Sequence, residues 1–259
     1  MAVAGIYMFG PALSATFTYL LCDRQRFKQS GLKRGSLRDY GRYYALALLI
    51  TLVQFVGFSF LGAVTWDFTG DTFLTQLETM MPGQDISSTL PAGMSAQTML
   101  FLFAVGGLTI FNIMPGIISG LGEEYGWRGL MFPALQSRKP WVGYGLGGTV
   151  WYVWHLPLML LFPMPKLSWT FLAASSASLV GTIAMHVFLC RAYTQSGSIF
   201  VPSLTHATFN NAARSFAYYA ILTNQLVGNV VVALSMVAVV VVQSRILTNR
   251  RLPPSATTS

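Results

Sequence analysis

The sequence predicts an all-α, polytopic membrane protein with about seven crossings (seven or eight) and a polar site inside the bundle. Three observations carry that prediction. Apolar residues make up 53% of the chain and charged residues 9%, where soluble domains carry about 25% charged residues. Several apolar runs reach the ~20 residues needed to cross a hydrocarbon core. No period-2 alternation recurs, so the strands of a transmembrane barrel are not expected, and helices remain to satisfy the backbone in lipid.

Taken in order, residues 3–22 form a modest first span with Pro11 near its start. Residues 23–42 hold Arg24, Arg26, Lys28, Lys33, Arg34, Arg38 and Arg42 against Asp23 and Asp39, which marks a cytoplasmic loop by the positive-inside rule. A second span covers 43–64. Residues 65–96 contain Asp67, Asp71, Glu78 and Asp85 with no Lys or Arg, together with Pro82, Gly83, Pro91 and Gly93. That composition predicts a long external loop with room for a short surface helix.

A third span, 97–121, is expected to continue as helix through Glu123 and Glu124 to Gln136. A basic turn at Ser137–Pro140 leads into a fourth span, 141–161. Phe162–Lys166 turns outside, a fifth span (169–190) returns to Arg191, and a sixth starts near Ser198 and runs to Arg214. The seventh, 218–243, ends at Arg245, Arg250 and Arg251. This count puts the N-terminus outside and the C-terminus inside. The division that follows is 1–114 for N-terminal helices, 115–212 for a site-bearing core, and 213–259 for a last helix and cytoplasmic tail.

A net charge of +8 raises nucleic acid as a partner, but the basic residues sit in short loops between apolar runs, and no nucleic acid is expected. Cys22 and Cys190 give no disulfide framework. The N-terminal run lacks a basic leader, so no cleavable signal peptide is expected. Gly116/Gly120, Gly122/Gly126 and Gly143/Gly147 have the four-residue spacing that lets membrane helices approach closely. The Gly143–Gly148 run has no strand before it and is read as packing, not as a nucleotide loop.

The polar residues are few, which makes their placement informative. From Tyr125 to Ser259 the chain has no Asp or Glu. A buried ionised side chain in a membrane helix costs roughly 2.5–3.5 kcal/mol on insertion scales, so the adjacent Glu123 and Glu124 need partners and suggest a function. Glu124 and Arg128 are four apart and share a helix face. Glu123, rotated by about 100°, is free to face a cavity. Trp151 and His155 are four apart, as are His206 and Asn210. Counted from the basic turns, Glu123, His155 and His206 all lie about 20 Å deep on ideal helices. Pro140, Pro157 and Pro202 are candidate breaks. His186, with no partner at helical spacing, reads as structural.

Glu-Glu-x-x-x-Arg at 123–128, aromatic-x-x-x-His at 151–155 and His-x-x-x-Asn at 206–210 resemble the CPBP intramembrane protease family, also called Abi or CAAX-prenyl-protease-2-like. Trp154-His155-Leu156-Pro157 and Gly197-Ser198-Ile199 resemble it too, and Trp151 departs from it, standing where the family pattern has Phe. The resemblance implies an intramembrane endopeptidase in which Glu123, aided by His155, activates water. His206 and Asn210 would stabilise the oxyanion, and Glu124, Arg128 and Trp151 would support the site. A carboxylate in a low-dielectric cavity is a suitable general base, and each preset oxyanion donor is worth about 2.7–4 kcal/mol in well-studied hydrolases.

The cofactor expectation is none, or one divalent metal with zinc the first candidate, held by Glu123, His155 and His206; no His-Glu-x-x-His motif occurs. Partners implied are membrane lipid and a peptide or protein substrate, including lipid-modified ones, reached from the cytoplasm or laterally. The short loops suggest a bacterial inner membrane, with peptide maturation or bacteriocin self-immunity as roles. Two other classes remain open: a non-catalytic immunity or binding protein, and a proton-coupled transporter, since intramembrane Glu, Arg and His also mark proton pathways.

Overall fold

A computed structural model describes residues 6–22, 30–80, 94–159 and 167–249. The helices are α1 (Gly10–Leu21), α2 (Leu37–Phe60), α3 (Asp71–Met80), α4 (Ala96–Leu108), α5 (Ile117–Glu124), α6 (Phe132–Gln136), α7 (Gly147–Met159), α8 (Trp169–Ser196), α9 (Phe200–Ala217) and α10 (Gln225–Asn249). Wider π-type turns occupy Asn112–Gly116, Tyr125–Met131 and Val142–Leu146, joining α5 to α6 and leading into α5 and α7. Serine side chains start three helices: Ser36, Ser95 and Ser168 accept from the backbone N–H of Asp39, Thr98 and Phe171, each satisfying a donor the first turn leaves free.

The protein is an all-α integral membrane protein, with α2, α8 and the Gln225–Arg245 part of α10 long and apolar enough to cross a bilayer. A fourth crossing is formed if α4 and Asn112–Gln136 are one broken span, bent by 53°. That bend corrects the continuous third helix expected from the sequence. Helix α4 stops at Leu108, and Met114, just before Pro115, is extended (φ −138°, ψ 111°). Proline disfavours helical backbone in the residue before it and offers no N–H to the ladder.

The expected surface helix in the external loop is present as α3. Two three-residue strands accompany it, β1 (Val64–Trp66) and β2 (Ala220–Leu222), paired antiparallel with Thr65 opposite Ile221. The remainder of the basic and external loops, the Phe162–Lys166 turn and the C-terminal tail fall in 23–29, 81–93, 160–166 and 250–259, outside the described residues.

Helix α9 is the central post. It buries eleven residues, from Val201 to Ser215, and packs against α2, α4, α5 and α8. It runs parallel to α2, because both their starts and their ends meet. At the starts, the Ser198 hydroxyl donates to the Lys33 carbonyl and the Ile199 N–H to the Gly31 carbonyl. At the ends, β1 and β2 pair. Arg42 and Arg191 lie at the same end as Lys33, Arg42 bonding Gln195 and Arg191 bonding the Val240 carbonyl and Ser244. The acidic Asp67 and Asp71 lie at the β1–β2 end. Apart from Arg214 near the end of α9, these charges are segregated in the way the positive-inside rule describes.

The aromatic core joins Tyr43 and Ile50 of α2, Trp127, Trp151 of α7, Phe188 of α8, Phe209 of α9 and Met236 of α10. Two glycines set the helix separations beside the site. A Cβ at Gly120 would collide with the Ser203 carbonyl of α9, and one at Gly126 would lie 2.5 Å from the Pro11 carbonyl of α1. Gly116 also faces α9 at Ala207, and Gly122 faces Met8 and Phe9 just before α1, so the four-residue spacing reads out as two distinct close contacts.

Candidate active site

Three segments bring their polar side chains to one place. Glu123 and Glu124 end α5, Trp151 and His155 lie on α7, and His206 and Asn210 lie on α9. The adjacent carboxylates face different partners, as expected from their rotation on a helix. Glu124 Oε1 accepts from Arg128 Nη1 at 2.8 Å and from His206 Nδ1 at 2.8 Å. Glu124 and Arg128 are wholly buried.

Glu123 is held differently. Its Oε2 accepts from the indole N–H of Trp151 at 2.8 Å and of Trp127 at 3.2 Å. His155 Nε2 lies 3.8 Å from the same oxygen, too far for a direct hydrogen bond but suited to a bridging water. The Glu123 side chain lines a cavity of about 810 Å³, together with His155, His206 and Asn210. Its Oε1 has no hydrogen-bond partner among the described residues and so is available to a molecule in that cavity.

The histidine tautomers follow from their partners. His155 Nδ1 is 2.8 Å from the Trp151 carbonyl. A carbonyl only accepts, so Nδ1 carries the proton, and neutral His155 presents the lone pair of Nε2 toward Glu123. His206 Nδ1 donates to Glu124, which leaves Nε2 toward the cavity that His206 lines. Trp151 links these groups. It lies edge-on to both His155 and His206, and the Arg128 guanidinium sits 4.5 Å from its ring centroid, a cation–π contact.

Three features were absent from the sequence reading. Trp127 is a second indole donor to Glu123, signalled only by its four-residue spacing. Trp151 packs as expected but also supplies a hydrogen bond that Phe cannot make. Buried Asn112 donates to Thr208 and accepts from Asn211, tying the broken segment to α9; a lone Asn inside an apolar run was the available signal. His186 contacts the Gly143 carbonyl at 3.2 Å and, four residues on, Cys190 Sγ at 3.3 Å, which corrects the expectation that it lacks a partner at helical spacing.

Of the two expected routes of access, cytoplasmic and lateral, the cavity's lining bears on the second. From His206 its lining follows α9 through Asn210 and Arg214 to Tyr218, toward the β1–β2 end rather than the basic end. It also reaches Phe111 and Pro115 of the bent segment, where Phe111 and Met114 are exposed on the bundle's flank. Among the described residues, no three His, Cys, Asp or Glu side chains are grouped to hold a metal ion. Glu123 Oε2 and His206 Nδ1 are engaged by indole and carboxylate partners, which leaves Glu123 Oε1 and the Nε2 atoms of His155 and His206 as the groups open to a ligand in the cavity.

Fold and site together define an integral membrane protein with a carboxylate–histidine constellation in an internal cavity. Residues 105–212 match the family described as type II CAAX prenyl endopeptidase Rce1-like. The match bears out the CPBP/CAAX protease resemblance and extends from the end of α4 into α9. No curated protein matches the chain.

Proposed function

We propose that the protein is an intramembrane endopeptidase that hydrolyses peptide bonds with water activated by Glu123 and His155. The observation that carries this reading is the cavity-facing Glu123 carboxylate with His155 Nε2 at 3.8 Å and His206 and Asn210 on the same wall. The family match supports a protease of CAAX type acting on peptide or prenylated protein substrates in membranes.

A water bound between Glu123 and His155 gives a proton to Glu123 as its oxygen attacks the substrate carbonyl. The oxyanion is met by the Asn210 amide and by His206 Nε2–H, with His206 carried as the imidazolium that Glu124 stabilises through Nδ1. The C–N bond then breaks, and the leaving amine takes the proton back from Glu123. Arg128 balances Glu124, and Trp151 and Trp127 orient Glu123. No step uses a metal.

Seven crossings remain our topological reading, and the segregation of charge between the two ends supports a cytoplasmic basic end. On that reading the substrate reaches the site laterally, past Phe111 and Pro115, or from the β1–β2 end. A bacterial inner membrane, and a role in maturation or self-immunity, belong to the same proposal.

The test is cleavage of a peptide library by protein purified in lipid nanodiscs, with products read by mass spectrometry. Wild type is expected to cut defined bonds, while His155→Ala, His206→Ala and Asn210→Ala variants lose activity and keep their fold. Equal cleavage by all three variants would refute the assignment.

A further inference from the structure

A second cavity, of about 260 Å³, lies between α2, α8, α9 and α10. Its lining mixes apolar Phe209, Val232 and Met236 with polar groups that no catalytic step uses. Ser178 and Thr182 stand one helical turn apart on α8 and face it together. Their hydroxyls have no hydrogen-bond partner among the described residues, and neither does the Asn210 amide. Unpaired polar groups at membrane depth are costly unless water reaches them. The volume holds about nine waters at ~30 Å³ each.

The cavity also has a direction. Asn229, in the second turn of α10, lines its outer part, and Thr182 lies about 20 Å along α8 from Trp169. It therefore descends from the β1–β2 end to the level of the site. Asn210 lines both this cavity and the larger one that holds Glu123. A peptide seated in the larger cavity would displace its solvent, yet each turnover consumes one water molecule.

We propose that the cavity between α2, α8, α9 and α10 is a water chamber that feeds the hydrolytic site from behind, past Asn210. The supply role rests on the peptidase reading above; the wetness of the chamber does not. Ser178 and Thr182 hold the water column by offering it hydroxyl partners, and Asn210 passes water while its amide meets the oxyanion.

Two measurements test this. In a Cys22→Ser background, Ser178→Cys is treated in nanodiscs with a charged, water-soluble methanethiosulfonate. Val180→Cys, on the 47% exposed, outward side of the same helix, is the lipid-facing control. Ser178→Cys is expected to react at least tenfold faster. In the second measurement, Ser178→Leu/Thr182→Leu fills the chamber and is expected to lower kcat about tenfold or more with KM within twofold. The milder Thr182→Val, which keeps the side chain's shape, should lower kcat in the same direction if the double variant fails to fold.

Reaction of Ser178→Cys no faster than the control overturns the chamber. A rise in KM at unchanged kcat shows a substrate pocket instead, and unchanged kinetics rule out supply. If wild type cleaves no peptide, the supply role falls with the peptidase reading, while the cysteine rates alone still decide whether the chamber is wet.

Discussion

Replacing Trp151 with Phe removes three ring atoms of a buried side chain, the indole N–H among them. The ring position, the edge contacts to His155 and His206 and most of the stacking under Arg128 survive in a phenyl group. What is lost is a 2.8 Å hydrogen bond to the Glu123 carboxylate. A hydrogen bond to a charged group is worth about 1.5–3 kcal/mol. If that bond serves to fix the proposed base, its full value is lost from the transition state. At 1.36 kcal/mol per factor of ten, kcat falls about tenfold to about 150-fold. The assay is steady-state cleavage of the best library peptide, with thermal unfolding followed in parallel. KM should change little, while Tm should fall modestly, because the smaller ring leaves a gap in the core. Trp127→Phe, which removes a longer bond of 3.2 Å, should have a smaller effect in the same direction. The double variant should depart from additivity, since both indoles hold one oxygen. Full activity in Trp151→Phe, or a larger loss in Trp127→Phe, would refute the view that the indoles position Glu123.

Glu124→Gln breaks a buried ion pair and removes the acceptor of His206. It should lower stability by roughly 3–5 kcal/mol, seen as a lower unfolding midpoint, and reduce kcat even at temperatures where the variant is folded. Treatment with a strong chelator followed by desalting should leave cleavage within twofold of the untreated protein, as a metal-free mechanism requires; loss restored by zinc would contradict it. At the β1–β2 end, hydrogen bonds from Thr69 and Thr72 hold the Asp67 carboxyl well below the usual carboxylate range. A group depressed in the folded state contributes stability above its unfolded value, about 3.9, and loses it as pH falls through the folded value. The unfolding midpoint should therefore drop below about pH 4, and Asp67→Asn should flatten that acid limb.

Much of this site was legible because charge is scarce in the chain. With no acid after Glu124, spacing alone paired Glu124 with Arg128 and left Glu123 facing elsewhere, and the structure shows both relations. Depth counting from the basic turns brought α5, α7 and α9 to one level. What spacing could not show was direction. Pro115 marks the bend in the sequence, but the residues on both sides are mostly apolar and together long enough for one crossing, so the third span reads as one rod. The bend opens the flank at Phe111 and sends the cavity along α9 toward Tyr218. The indole donors were hidden for a different reason: tryptophan in an apolar run reads as packing, and its N–H gains meaning only when a carboxylate lies within reach. Helix α9 shows the same limit, because its polar face is buried against its neighbours rather than turned to lipid.

Single-turnover cleavage by Glu123→Gln, measured beside wild type on the same peptide, bears most directly on the central claim. Glutamine keeps the shape and can still face the cavity, but it cannot take a proton from water. The account predicts at least a thousandfold slower cleavage with substrate binding and fold retained. Cleavage within tenfold of wild type would contradict it.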